Sequence, residues 1–269
     1  MPTLLLPPRL NDDCRAMRRA AEKAGWDTLV GSWRIDPSAL PPPNEVAFYG
    51  DSLFGDVAAA RLGLGLLDAP PDWLPNLPER WRRRDVSLTT LEEARRASVP
   101  RFVKPPDDKS FPARVYASGV DLPGDDLLDP ETPVLAADPV SWELEFRCFL
   151  HHGKVVTSSV YFRSGELAQG RDGEWRATET EAADARAFTA DLLSDPEVSL
   201  PPAVVVDVGR ISGRGWAVVE ANPAWGSGLY GCAPEAVLPV LRSACVSRGD
   251  AAGEASARRW LRPAVTLEE

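Results

Sequence analysis

The sequence predicts an open α/β lobe followed by an α+β lobe built on an antiparallel sheet, and a change of texture near residue 98 carries that expectation. Before it, short apolar runs alternate with helical patterns, which is how a mostly parallel sheet reads. After it, longer strand-like runs follow one another through short turns, which implies antiparallel pairing. No internal repeat of ~20 to 50 residues is present, so solenoids and propellers are excluded. The expected division is residues 1–98, 99–246 and a tail of 247–269, the tail reading as a loose Ala- and Arg-rich helix.

Each element has its own reason. "PTLLL" and "EVAFYG" are the clearer early strands. "NDDCRAMRRAAEKAGW" is a helix capped by Asn11 or Asp12, with acids in its first turn and Gly25 as its stop. "SLFGDVAAARLG" reads as a second helix with Ser52 near its cap. "APPDWLPNLP", broken by prolines, is expected to be irregular. "TTLEEARRAS" makes a short capped helix before the strand "RFVKP". The later strands are "PVLAADPV", "WELEFRCFL", "KVVTSSVYF", "AVVVDVG" and "GWAVVEAN". "ETEAADARAFTADLLSD" and "APEAVLPVLRSAC" supply helices among and after them.

Composition narrows the function. A formal net charge of -10 argues against a nucleic-acid backbone or an anionic membrane as partner. No window approaches the ~18 apolar residues of a membrane span, and the N-terminus has no basic leader, so a cytoplasmic protein is expected. Cys14, Cys148, Cys232 and Cys245 show no metal-binding spacing and read as free thiols. Both histidines, His151 and His152, fall at a hairpin tip in "FLHHGKVV", which limits any mechanism needing a positioned imidazole.

Alternation along the strands gathers the polar groups. In "WELEFRCFL", Glu143, Glu145 and Arg147 share one face with Phe149, opposite an apolar face. Asp207 ends a run of valines, where an unpaired carboxylate is costly to bury. Glu220 and Asn222 share parity with Trp216 and Val218, and a hairpin through Ser212–Gly215 sets Asp207 opposite Glu220. Facing carboxylates need a cation between them. That cation is either a hard divalent metal held by Asp207, Glu220 and Asn222, with nucleotide phosphates as its companions, or a salt bridge to Arg147, Arg210 or Arg214. Lys104 delivers an ammonium at a strand end, Lys109 follows in the loop "PPDDKSF", and Arg147 suits bidentate phosphate contact.

In this order (Lys104, Lys109, the "EFR" strand, Asp207 after its valines, then Glu-x-Asn before the glycine-rich "WGSGLYG") the chain resembles the ATP-grasp superfamily, most nearly the clade named for an arginine and two lysines. The resemblance spans about residues 100–245, with the N-terminal lobe as the substrate-side domain. It implies a ligase that clamps magnesium-ATP and joins a small-molecule or peptide carboxylate donor to an amine acceptor through an acylphosphate, releasing ADP and phosphate. It further implies that Lys104 and Lys109 hold the nucleotide phosphates and that Arg147, with Lys109, acts on the phosphoryl group in transfer. Asp207, Glu220 and Asn222 would hold two magnesium ions. The stretch Pro133–Val140, with Leu135 and Ala136 at its centre, would be the hinge whose backbone reads adenine. Asp138 or Glu143 lies near the ribose, and Glu145 faces the nucleotide beside Arg147. Substrate-side lobes of this kind often pair, so a homodimer is implied. The loop around Lys109 departs from the family in lacking glycines.

Other readings compete. The same fold can serve as a non-catalytic nucleotide-binding module. "GDSL" at 50–53 resembles the nucleophile motif of serine esterases, but no histidine follows His152 to supply the base, which leaves Ser52 as a helix cap. The cluster "ERWRRRD", Glu79 to Asp85, is either a solvated helix face or a dock for an anionic partner. Gly226, Gly228 and Gly231 either admit substrate close to the backbone or only turn the chain into the next helix.

Overall fold

Three apolar segments of the first third form a parallel sheet in the computed structural model, which describes residues 1–33, 38, 40–106, 110–253 and 255–266. Strand β1 (Thr3–Leu6) lies between β2 (Asp27–Val30) and β3 (Val46–Phe48). Helix α1 (Asp12–Lys23) is capped by Asn11, whose side chain accepts from the Cys14 N–H, so Asn11 rather than Asp12 is the cap. Helix α2 (Ser52–Leu62) is capped by Asp51, accepting from Phe54 N–H at 2.9 Å. Ser52 is therefore the first helical residue and not the cap the sequence suggested; the aspartate reaches the free amide from one position earlier. Strand β4 (Leu64–Leu66) follows.

The proline-rich stretch contains one helical turn, α3 (Trp73–Asn76), pinned where Trp73 Nε1 donates to Ser199 O at 2.7 Å. After α4 (Glu79–Arg82), strand β5 (Val86–Thr90) leads into α5 (Leu91–Arg95), β6 (Arg101–Lys104), β7 (Arg114–Tyr116) and β8 (Pro133–Ala137). The four strands form an antiparallel sheet in the order β5-β8-β6-β7. The unit thus begins before the expected boundary at 98, because Val86–Thr90 pairs along β8, Val86 opposite Ala137.

A second antiparallel sheet carries most of the later polar residues. Its strands are β9 (Trp142–His151), β10 (Lys154–Arg163), β11 (Glu166–Leu167), β12 (Ala203–Ile211) and β13 (Gly215–Asn222), in the order β11-β10-β9-β12-β13. Helix α6 (Glu179–Ser194) covers one face, where Leu144, Phe146, Cys148, Val206 and Val208 are buried. The other face sends Phe149, Ala203 and Val205 into the core of the N-terminal lobe. Helix α7 (Pro234–Ala244) packs on β3, β9 and β12 and so ties sheet to lobe.

The C-terminal segment is built into the fold rather than loose. Strand β14 (Cys245–Ser247) pairs with β4, Leu261 bridges to Leu67, and Trp260 is buried. Two short helices, α8 (Arg248–Gly253) and α9 (Ala255–Arg258), connect these pieces. All four cysteines are free and buried. Among the described residues no helix is long and apolar enough to cross a membrane.

Candidate active site

The acids come together through an irregularity that strict alternation does not foresee. Asp207 lies opposite Glu220, as the hairpin count expects, but the next pair is Val208 with Val218. Val219 is left over as a bulge. Trp216 and Val218 consequently pack on the α6 side, while Glu220 and Asn222 turn to the face of Asp207. The parity expected to join all four residues is broken at that bulge.

Arg147 sits opposite Asp207 on the neighbouring strand and grips it bidentately, Nε to Oδ1 at 3.0 Å and Nη2 to Oδ2 at 2.7 Å. Its Nη1 donates to Gly228 O at 3.1 Å, in the turn that follows β13. Lys104, at the end of β6 in the other sheet, reaches across to Glu220 Oε2 at 2.5 Å. Asn222 Nδ2 lies between the acids, 2.9 Å from Glu220 Oε1 and 3.3 Å from Asp207 Oδ2. The salt-bridge alternative is thus realised for Asp207 with Arg147, and for Glu220 with a cation the sequence had assigned to phosphate. Arg210 pairs instead with Glu143, and Arg214 Nη1 donates to Arg83 O.

Burial sets the electrostatics. Asp207 is fully buried and Arg147 is 7% exposed, so the pair is shielded from water. Burial works against the Arg147 charge, but Asp207 overcomes it and the guanidinium is held more firmly protonated than usual. Burial likewise raises Glu220, but the attraction and hydrogen bond of Lys104, with the bond from Asn222, outweigh it and hold the carboxyl at about 2. Glu145 makes no ion pair among the described residues: burial pushes its carboxyl up to about 7 despite a hydrogen bond from Tyr161 Oη at 2.9 Å and the weaker pull of Arg84.

Two adjoining cavities meet at Lys104 and Glu220. One, about 210 Å³, is walled mainly by apolar groups including Val86, Phe102, Leu135, Ala137 and Trp142. The other, about 340 Å³, extends past Asn222 to Asp51, Ser52, Asp68, Trp225 and Arg262. Leu74, Lys104, Leu135 and Glu220 line both.

The remaining sequence-derived positions sort by geometry. Leu135 faces the smaller cavity with its side chain, but Ala136 faces away, into the core beneath α5. Both edges of β8 are paired, so the backbone of Leu135 and Ala136 is taken up by the ladders, and the Asp138 N–H donates to Asp85 O at 3.0 Å. Asp138 lines the smaller cavity and pairs with Arg101 at 2.8 Å, whereas Glu143 lines neither cavity. Lys109 lies outside the described residues. Ser52 lines the larger cavity, which neither histidine reaches; His151 Nε2 is 2.8 Å from Ser243 Oγ.

Sequence reasoning missed Arg84 and two tyrosines. In the basic cluster Glu79, Arg80, Arg83 and Asp85 are exposed, Arg80 pairing with Asp195 at 2.6 Å, whereas Arg84 is buried, donating to Val218 O at 2.8 Å and Val219 O at 2.9 Å on the bulge. Burial lowers Arg84 to about 10. The run of arginines was visible, but not which of them points inward. Tyr161 and Tyr230 pack on Arg147, and no spacing signals that.

A search of curated proteins gave no match. Among solved structures, D-cycloserine synthetase DcsG is similar with a TM-score of 0.56 at 16% identity, over 89% of this chain and 98% of that one. An ATP-grasp RimK domain protein from Sphaerobacter thermophilus is similar at 0.51 and 16%, over 90% and 98%. D-alanine--D-alanine ligase from Bacillus anthracis is similar at 0.50 and 11%, over 90% and 96%. These likenesses establish the fold. The family model for the ATP-grasp domain, in family 2 of the clade named for an arginine and two lysines, matches residues 81–240. By that match, which takes in more than half of the sequence, the chain belongs to the ATP-grasp superfamily of ATP-dependent ligases, in the second family of that arginine-and-two-lysines clade.

Proposed function

We propose that the protein is an ATP- and magnesium-dependent carboxylate–amine ligase that forms an amide or peptide-like bond through an acylphosphate and releases ADP and phosphate. The observation that carries this reading is the bonded network of Lys104, Arg147, Asp207, Glu220 and Asn222, drawn from two sheets, which opens onto both cavities through Lys104 and Glu220 and onto the larger through Asn222. The smaller, apolar cavity suits a purine, and the larger suits a small donor or acceptor.

The donor set fits a hard cation: two carboxylates and an amide whose oxygen a half-turn of Asn222 would present, with phosphates and water completing the shell. Among the described residues no group of three or more His, Cys, Asp or Glu side chains gathers, so a site assembled with substrate fits better than a protein-only cage. Magnesium, two ions in this reading, would neutralise phosphate charge. The chain's own part is positioning and charge. Lys104, now held by Glu220, is the ammonium available to the nucleotide phosphates, and Lys109 would join it from the neighbouring loop. Arg147 stabilises the phosphoryl group as a donor carboxylate oxygen bonds to the γ-phosphorus and the bond to ADP breaks. The amine nitrogen then bonds to the acyl carbon, the carbon–oxygen bond to phosphate breaks, and the amine proton passes to solvent. No histidine or thiol nucleophile is required. The acidic net charge supports a protein without nucleic-acid or membrane partners, a cytoplasmic location is proposed beside it, and a homodimer is proposed by family resemblance alone.

Magnesium-dependent ADP release, assayed with pools of amino-acid donors and acceptors, tests the reading. Glu220→Gln is expected to lower turnover on the order of a hundredfold with the fold intact. Normal turnover in that variant would remove the proposed site. Nucleotide binding without turnover in the wild type would instead favour the non-catalytic module.

A further inference from the structure

Around Arg147 the structure places aromatic groups that the ligase chemistry above does not use. The Arg147 guanidinium carbon lies 4.9 Å from the centroid of the Tyr230 ring and 5.1 Å from that of Tyr161, and the two rings are 5.3 Å apart. The three groups form a nearly equilateral triangle, with the cation over both aromatic faces. Trp175 closes the cluster from outside, edge-on to Tyr230 at 5.5 Å and 82°.

The backbone is bent to achieve this. Tyr230 has φ of 45° and Gly231 φ of 87°, two successive left-handed residues. A bulky side chain in that region is a true outlier, and such conformations persist where the surroundings demand them. At Gly231 a Cβ would lie 2.6 Å from Trp175 Cδ1 and 2.8 Å from Ser159 Oγ, so only glycine lets the tryptophan settle against Tyr230. A turn made only to enter α7 needs neither an aromatic residue at 230 nor a tryptophan packed on 231.

The rings complete what the hydrogen bonds leave open. Asp207 fixes one edge of the guanidinium through Nε and Nη2, and Gly228 O holds Nη1. Those bonds lie in the guanidinium plane and resist sliding, whereas the two tyrosine ring faces, both presented to the guanidinium carbon, bear on its remaining freedom to tilt. Tyr161 is itself anchored through its hydroxyl to Glu145.

We propose that Tyr230, supported by Tyr161 and Trp175, is a positioning residue that fixes the tilt of the Arg147 guanidinium toward the transferring phosphoryl group. This rests on the ligase reading of Arg147, and the test separates the two. The contact uses the ring face, so Tyr230→Phe is expected to keep kcat within about twofold. Tyr230→Leu, which keeps bulk without a π face, is expected to lower kcat about tenfold or more while KM for ATP changes little; a structural role alone would lower the melting temperature without that split. A second readout is independent of turnover. The Arg147 Nε–H resonance, identified by its loss in Arg147→Lys, is expected to be shifted by the rings in the wild type and in Tyr230→Phe, and to move toward ordinary arginine values in Tyr230→Leu. An unchanged resonance and unchanged kcat in Tyr230→Leu would overturn the positioning role and leave the ligase reading standing. A wild type without ATP turnover would overturn the ligase reading, and the resonance would then decide whether the rings orient Arg147 at all.

Discussion

Glu145 shows what a carboxyl does in this site when burial outweighs the groups that favour its charge. Its folded value near 7 lies above the ordinary 4.5, so between those values the folded protein keeps a proton that the unfolded chain gives up. Its contribution to stability therefore declines as pH rises from about 4.5 to about 7, then levels off. Glu145→Gln is expected to flatten that decline, as measured by urea midpoints across the same range; an identical slope in the variant would place the titrating group elsewhere. Glu220 has the opposite sign: held at about 2, it contributes stability above its ordinary range that fades as pH falls below about 4.5. Part of this site was legible in the sequence. Counting residues through one hairpin set Asp207 against Glu220, because antiparallel register is a local property. That Lys104 reaches Glu220 across 116 residues is not local, and no periodicity reports it.

Among the elements, β13 departs furthest from its sequence pattern. Alternation predicts one face for Trp216 through Asn222, and the bulge at Val219 redirects its outer half toward Asp207. Arg84 binds the two carbonyls beside that bulge, which makes a residue from outside the sheet responsible for the aim of Glu220 and Asn222. Arg84→Met is expected to leave both carbonyls without this donor, to cost about 1–3 kcal/mol in stability and to weaken nucleotide binding. Denaturant unfolding and nucleotide titration check it; a variant as stable as the wild type with the same affinity would contradict the role. Strands and helices were otherwise legible wherever alternation or capping is strong, as in β9, β12 and α6. The unforeseen elements are short ones such as α3 and β14, whose existence depends on partners far along the chain.

At the scale of the molecule, the lobes are joined by shared core rather than by a linker. Helix α7 and the face of β12 bearing Val205 pack with the N-terminal sheet, and the C-terminal segment returns to that lobe. Arg262 ties the return, pairing with Asp56 at 2.8 Å and with Asp68 at 3.4 Å, and lines the larger cavity. Arg262→Ala is expected to lower stability by about 1–3 kcal/mol and to raise KM for the second substrate more than for ATP. Equal KM values for both in the variant and the wild type would separate the C-terminal segment from the substrate chamber.

Thermal unfolding with and without magnesium plus a non-hydrolysable ATP analogue decides whether Lys104, Arg147, Asp207, Glu220 and Asn222 form the proposed magnesium-nucleotide site. A ligand bound only by the folded state at about 100 times its dissociation constant adds roughly 2.7 kcal/mol, a readily measured rise in melting temperature. The expected result is a rise that requires metal and analogue together and disappears in Glu220→Gln. No rise at saturating concentrations would contradict such a site and leave Lys104–Glu220 and Arg147–Asp207 as structural ion pairs, hydrogen-bonded by Asn222.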